Sequence, residues 1–267
     1  QSAWKLPAED IVGIRGSSGG LIKIVVPKLN RISNFDDLDP LRLEKNVSIE
    51  IIEAGKPLPG DAQLILIPGS KSTISDLKFI RTQGWDIDIL AHIRRGGHVL
   101  GICGGYQILG KSISDPDGIE SNAKTVSGLG LLNVITVMKP EKNLKTVSGT
   151  YLKSGEPIAG YEMHIGITSG PDCENPLLEI NGKPSGAIAQ NGQAYGCYLH
   201  GMFASDTFRK SFLDGLGASS TLENYEDSVS ETLDELAEHL ESNMNTELFL
   251  NLANFKNILV FILFSMC

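Results

Sequence analysis

Short β-branched runs alternating with helix-period segments constrain this chain more than any other feature. Residues 21–26, broken only by Lys23, and the runs 47–52 and 64–67 are too short for buried helices, and they are largely apolar. They predict strands covered on both faces. Between and after them, residues 72–82 carry Ile74, Leu77 and Ile80 at helical spacing, and residues 86–95 carry Ile87, Leu90 and Ile93. This alternation predicts a three-layer α/β fold, with a mostly parallel central sheet flanked by helices. From about Leu129 the pattern changes to runs punctuated by glycine: 131–138, 149–152, 161–168, 187–189 and 194–199. These predict additional antiparallel strands beside or across the first sheet. A helix over 205–216 follows, with Phe208, Phe212, Leu213 and Leu216 on one side, and another over 228–240 with a Leu233, Leu236 and Leu240 stripe.

Composition narrows the function classes. The chain has 267 residues, 41% of them hydrophobic, which allows a sizeable core. A formal charge of −9 and the absence of any Lys/Arg cluster exclude a phosphate-backbone binder, so no nucleic-acid partner is expected. Cys103, Cys173, Cys197 and Cys267 are scattered, with neither a C-x-x-C pair nor zinc-site spacing. No metal site is expected, and reduced thiols fit a cytoplasmic protein. The first residues show neither a signal segment nor an initiator Met, as in a fragment. The string Arg15-Gly16-Ser17-Ser18-Gly19-Gly20 reads as a linker. Residues 1–20 are thus expected as linker, 21–217 as the main domain, and 218–267 as a C-terminal helix with an apolar tail. Within that tail, 258–264 is far shorter than the roughly 20 apolar residues of a membrane span. A packed helix or apolar extension is expected, without membrane anchoring.

Three strings carry chemistry. His98-Val99-Leu100-Gly101-Ile102-Cys103-Gly104-Gly105-Tyr106-Gln107 is an apolar run ending at a thiol and two glycines. It reads as a strand-to-helix turn presenting a nucleophile, where the glycines tolerate a strained backbone and the helix field favours an anionic sulfur. A lone cysteine is also commonly a small buried hydrophobe. His200 ends the run Tyr195-Gly196-Cys197-Tyr198-Leu199-His200 just before Gly201, mirroring Cys103, and is either its base or a strand cap bonded to backbone. His92 and His239 read as solvated helix residues, His98 as a strand start, and His164 as a secondary candidate. In Leu64-Ile65-Leu66-Ile67-Pro68-Gly69-Ser70-Lys71-Ser72-Thr73 a strand runs into a turn whose N–H groups can face a developing anion, or which is an ordinary connection. It is not an ATP loop, because the G-x-x-x-x-G-K-[ST] spacing is missing.

Together with Gly160-Tyr161-Glu162-Met163-His164 and the upstream string Pro27 to Leu41, these motifs resemble the class I glutamine amidotransferase family, in its cobyric acid synthase branch. The resemblance spans residues 6–216 and implies a flavodoxin-like three-layer fold. It implies that Cys103 attacks the side-chain amide of glutamine while His200 moves the proton. Backbone N–H groups of Gly69 and Gly104 would form the oxyanion hole, and Gln107 would help bind glutamine. Ammonia would pass to an ATP-binding synthetase domain or subunit that amidates corrin-ring carboxylates in cobalamin biosynthesis. ATP and magnesium belong to that partner, and no cofactor is expected in this chain. The string Pro27 to Leu41 looks like the family's linker into the amidotransferase fold. Standard members carry His-Pro-Glu, whereas Gly201 and Met202 follow His200 here, as in that branch. Glu162 or a backbone carbonyl is then expected to orient the imidazole. The alternatives are a stand-alone subunit serving another ligase, such as one acting on a cell-wall precursor, and a non-catalytic docking module. The strings Pro68 to Thr73 and Arg31 to Asn34 favour the corrinoid branch.

Overall fold

The computed structural model describes residue 6 and residues 16–122, 124–245 and 248. The expected tail at 246–267, residue 248 apart, and most of the expected linker lie outside these residues. Among these residues, 16–225 belong to one compact unit, and residue 6 and those from 226 on belong to a second.

The strands of the first unit, in chain order, begin with β1 (Ile22–Pro27), β2 (Val47–Ile52), β3 (Leu64–Ile67) and β4 (His98–Ile102). Then follow β5 (Ser112–Ser114), β6 (Thr125–Ser127), β7 (Ile135–Tyr151), β8 (Glu156–Ser169), β9 (Leu178–Ile180), β10 (Lys183–Ser185), β11 (Ala187–Ile188), β12 (Ala194–Cys197) and β13 (Leu199–His200). One sheet has the order β11-β12-β4-β3-β1-β2, parallel except for β11. Its central strands β12, β4 and β3 are buried at every residue except the partly buried His98, as a sheet covered on both faces requires. The helices α1 (Asp39–Arg42), α2 (Thr73–Thr82), α3 (Trp85–Arg94), α4 (Gly104–Leu109) and α5 (Asp206–Leu216) lie between or after the strands. The expected α/β fold is present.

The remaining strands form a second sheet, β10-β9-β7-β5-β6, with β8 paired to β7 and β13, antiparallel throughout except for the parallel β5–β7 pair. Its centre is the β7–β8 hairpin, which the sequence pattern divides into separate short runs. The reason is physical: Lys139, Lys142 and Lys145 interrupt the apolar pattern, and the register shifts between Val137 and Lys142. β13 pairs with β8 and carries His200 opposite Tyr161, so the hairpin is joined to the end of the parallel sheet's β12.

Both expected boundaries move. Ser17 exchanges backbone hydrogen bonds with Ile49, covering the outer edge of β2, so the fold includes residues expected to be linker. The string Pro27 to Leu41 is not a linker either, because it runs from the last residue of β1 into α1, ahead of β2. At the other end, residues 218–225 are tied in by Glu44. This buried carboxylate accepts hydrogen bonds from Arg209 Nε (2.7 Å), Ser220 Oγ (2.6 Å), Thr221 N (2.6 Å) and Leu222 N (3.1 Å). Burial opposes its charge, but these donors prevail and hold its carboxyl below the usual value. That stabilisation is present above the unfolded carboxyl pKa and is lost as pH falls through the lower folded value. Glu44→Leu leaves Arg209 Nε and the donors of Ser220, Thr221 and Leu222 without their acceptor, while Asp206 Oδ1 still pairs with Arg209 Nη2 (2.6 Å), and should cost about 2–3 kcal/mol in urea unfolding. A loss below about 1 kcal/mol would show the network to be energetically idle.

The last helix, α6 (Tyr225–Asn243), extends the expected 228–240 segment at both ends, and its Leu233 and Leu240 are exposed rather than buried. No helix among the described residues is long and apolar enough to cross a membrane.

Candidate active site

The parallel sheet brings four chain segments to one edge. β12, β4, β3 and β1 are neighbours in that order, so the loops leaving their carboxyl ends converge, as ligand sites on α/β sheets do. β4 delivers Cys103, β3 delivers Gly69, the chain after β12 delivers His200, and the chain after β1 delivers residues 28–38.

Cys103 sits at φ 52° and ψ −109°, a left-handed conformation that costs a non-glycine residue of order 1–3 kcal/mol. The strain falls on the thiol residue itself, not on the glycines that follow it. Those glycines serve close approach instead. A Cβ on Gly105 would run into the Ile67 carbonyl oxygen, and one on Gly104 would press on Ser70 and Thr73. β3 and β4 can therefore meet at the turn only with small residues there. Cys103 N–H donates to Cys197 O (2.8 Å) and its thiol to Met163 O (3.3 Å). Cys197 is a bystander, buried beneath the site with its thiol pushed up to about 12 by burial.

His200 is 0% exposed. Its Nδ1 donates to Asp37 Oδ2 (2.7 Å), and Asp37 Oδ1 accepts Gly201 N–H (2.8 Å). Asp37 is therefore the carboxylate that orients the imidazole, which corrects the expectation of Glu162 or a backbone carbonyl. Glu162 lies opposite Leu199 on β8, half-buried, its carboxyl raised by burial. Asp37 belongs to the 3-10 turn Phe35–Leu38. Asn34, at φ 56°, precedes that turn and donates to Tyr161 Oη (2.6 Å), and the Tyr161 ring stacks on His200 at 5.3 Å. The imidazole is thus held at its edge by a carboxylate and on its face by an aromatic ring. Its Nε2 is buried without a hydrogen-bond partner, and the Cys103 sulfur is close enough to act on it electrostatically. A hydrogen bond that closes only when substrate arrives is common at such sites. Burial pulls the His200 pKa down, but the Asp37 charge and hydrogen bond, with Cys103, push it up to about 10.

Cys103 opens on a cavity of about 240 Å³ whose wall includes Ser70, Thr73, Gln107, Glu120 and His164. Gly69 abuts the imidazole, since a Cβ there would lie 3.1 Å from His200 Cε1. Gly104 opens α4, so its N–H has no acceptor within the helix. Gln107 does reach the wall, yet its amide is engaged: Oε1 accepts from Thr73 Oγ1 (3.0 Å), and Nε2 donates to Ile165 O (2.9 Å) and Tyr198 Oη (3.2 Å). It shapes the cavity more than it offers free groups. His164 stacks on Tyr198 at 3.8 Å with its pKa lowered by burial, and it forms wall rather than a second base. His92, expected in solvent, is buried on α3 with Nε2 on His98 O (3.0 Å), because Gly97 leaves room for the ring. No group of three or more His, Cys, Asp or Glu among the described residues is placed to share a metal ion.

A thiol on a strained turn, an imidazole behind it and a carboxylate behind that form the arrangement of a cysteine-dependent acyl-transfer site. Solved structures agree on the fold. The chain is similar to PurLQS from Thermotoga maritima (TM-score 0.52, 18% identity, 79% of this chain and 99% of that one). It is also similar to a crystal structure of a glutamine amidotransferase (TM-score 0.50, 15% identity, 73% and 99%).

Sequence places it more narrowly: residues 23–208 match the CobB/CobQ-like glutamine amidotransferase domain, and the chain belongs to that family. It is 55% identical over 251 residues to the cobyric acid synthase of Ruegeria sp. (strain TM1040), covering 94% of this chain and 52% of that protein. To the cobyric acid synthase of Methylobacterium nodulans it is 52% identical over 257 residues, covering 94% and 53%. The chain spans about half the length of the curated relatives it matches.

Proposed function

We propose that this chain is the glutamine-hydrolysing part of a cobyric acid synthase, supplying ammonia to an ATP-binding half that amidates corrin-ring carboxylates. The observation that carries the reading is the buried line from Asp37 through His200 to Cys103 on the cavity wall. With its proton already on His200 Nε2, the Cys103 sulfur adds to the side-chain amide carbon of glutamine, and the oxygen of the tetrahedral intermediate lies against the N–H groups of Gly69 and Gly104. His200, protonated at neutral pH, gives its proton to the departing nitrogen, so ammonia leaves and a glutamyl thioester remains. Water then attacks the thioester as His200 accepts a proton from it, and glutamate departs, leaving the sulfur unprotonated beside the protonated imidazole as at the start. Both proton transfers use Nε2, the imidazole nitrogen without a structural partner. ATP and magnesium act in the partner half, and the reaction is placed in the cytoplasm.

Glutamate release measures the first half-reaction directly. Incubated with glutamine, the chain should release glutamate, faster when the ATP-binding half of a relative and its corrinoid substrate are present. Absence of release under every condition, with Cys103 also refusing covalent labelling by a diazoketone analogue of glutamine, would favour a docking module instead.

A further inference from the structure

Beside Cys103, the ionisable side chains on the cavity wall are Lys71, Glu120 and His164, and the chemistry above uses none of them. Glu120 stands on a loop that is locally over-determined. The carboxylate of Asp115, 1% exposed, accepts the N–H groups of Ile119 (2.8 Å), Glu120 (2.9 Å) and Ser121 (3.0 Å), folding residues 115–121 into a fixed hook. Glu120 itself reaches the first turn of α2, where Oε2 accepts Ile74 N–H (3.0 Å) and the Thr73 N–H and hydroxyl are close enough to favour its charge. A carboxylate has roughly four acceptor sites, so it retains capacity toward the cavity. Burial raises its carboxyl above the usual value, as for a group that lacks a cationic partner.

Glutamine brings such a partner. With its side-chain amide at Cys103, its α-carbon lies two methylenes deeper in the same cavity and carries an ammonium group that must be met by an acceptor. We infer that Glu120 receives the α-ammonium group of glutamine and so selects an α-amino acid amide over simple amides, with Asp115 as the positioning residue for its loop. This rests on the glutaminase reading and names how that site recognises its substrate.

The test compares L-glutamine with 4-carbamoylbutanoate, which keeps the amide, chain and carboxylate and lacks the ammonium. Both are assayed by ammonia release on the full 267-residue chain. Wild type should prefer glutamine roughly 10–100-fold in kcat/KM, the range expected of a hydrogen bond to a charged group. Glu120→Gln keeps an oxygen for Ile74 N–H and loses the charge. It should raise KM for glutamine by a similar factor, leave 4-carbamoylbutanoate nearly unchanged, and erase the preference. Equal losses on both amides would mean that Glu120 only caps α2, and an unchanged preference would mean that it reads nothing. Either result overturns the inference and leaves the glutaminase reading intact. A wild type inert toward both amides, also when the ATP-binding half of a relative and its corrinoid substrate are added, brings down the glutaminase reading and this inference with it.

Discussion

Cys103→Ala should reduce glutamate release from glutamine by on the order of 10⁴-fold or more, the scale seen when a nucleophile is removed from a covalent mechanism. The loss is chemical, not structural. The backbone at φ 52° is equally strained with Ala, and the thiol makes one hydrogen bond, to Met163 O, so urea stability should shift by less than about 1 kcal/mol. A discriminating arm supplies ammonia in place of glutamine. If Cys103 acts only to liberate ammonia, a complex of the variant with an ATP-binding half should still amidate its substrate from ammonium salts. Glutamate release persisting within tenfold of wild type would remove Cys103 from the mechanism. Loss of the ammonia-dependent reaction as well would show that the residue supports assembly rather than chemistry.

Much of the fold is legible because burial writes itself into composition. Run 64–67 coincides with β3, since a strand covered on both faces needs unbroken apolar residues, and run 47–52 coincides with β2, the edge strand, whose Val47, Ile49 and Ile52 are buried while Glu50 is exposed. Cys103 and His200 are legible for a related reason: each ends such a run at the carboxyl edge of the sheet. Asp37 is not, because it meets His200 across 163 positions of sequence and no local spacing announces it. Looking for a carboxylate two residues beyond the histidine misdirects attention to Glu162. The available signal was the string Asn34-Phe35-Asp36-Asp37, whose two adjacent acids lie after a strand that ends at the same sheet edge. The β7–β8 hairpin escapes for the opposite reason. Its lysine-rich middle leaves little apolar alternation to read, and pairing between its own two strands holds it together. His92 is misread because a polar neighbourhood in sequence says nothing about Gly97, whose missing side chain makes the space the ring occupies.

Asp37→Asn should lower kcat for glutamine hydrolysis by about 10²–10⁴-fold while changing KM little, the behaviour expected when an imidazole loses the carboxylate that fixes its tautomer. The pH dependence separates this from a packing defect. In the wild type, burial alone would lower the His200 pKa, and the charge and hydrogen bond of Asp37, helped by Cys103, raise it to about 10. Asn keeps an oxygen for Gly201 N–H but removes the charge, so burial prevails and the imidazole should titrate near or below the ordinary histidine value of about 6.5. His200 must be protonated to expel ammonia, so the alkaline limb of kcat should fall from near pH 10 in the wild type toward or below neutrality in the variant. Stability follows the same linkage. A histidine whose folded pKa is raised contributes stability that is complete below about pH 6.5 and lost as pH rises through its folded value, near 10. The difference in Tm between wild type and variant should therefore be larger near neutrality than above pH 10. An NMR titration of the His200 ring reads the cause directly. A variant whose imidazole still titrates near 10, or whose kcat limb does not move, would exclude Asp37 as the group that holds the catalytic proton in place.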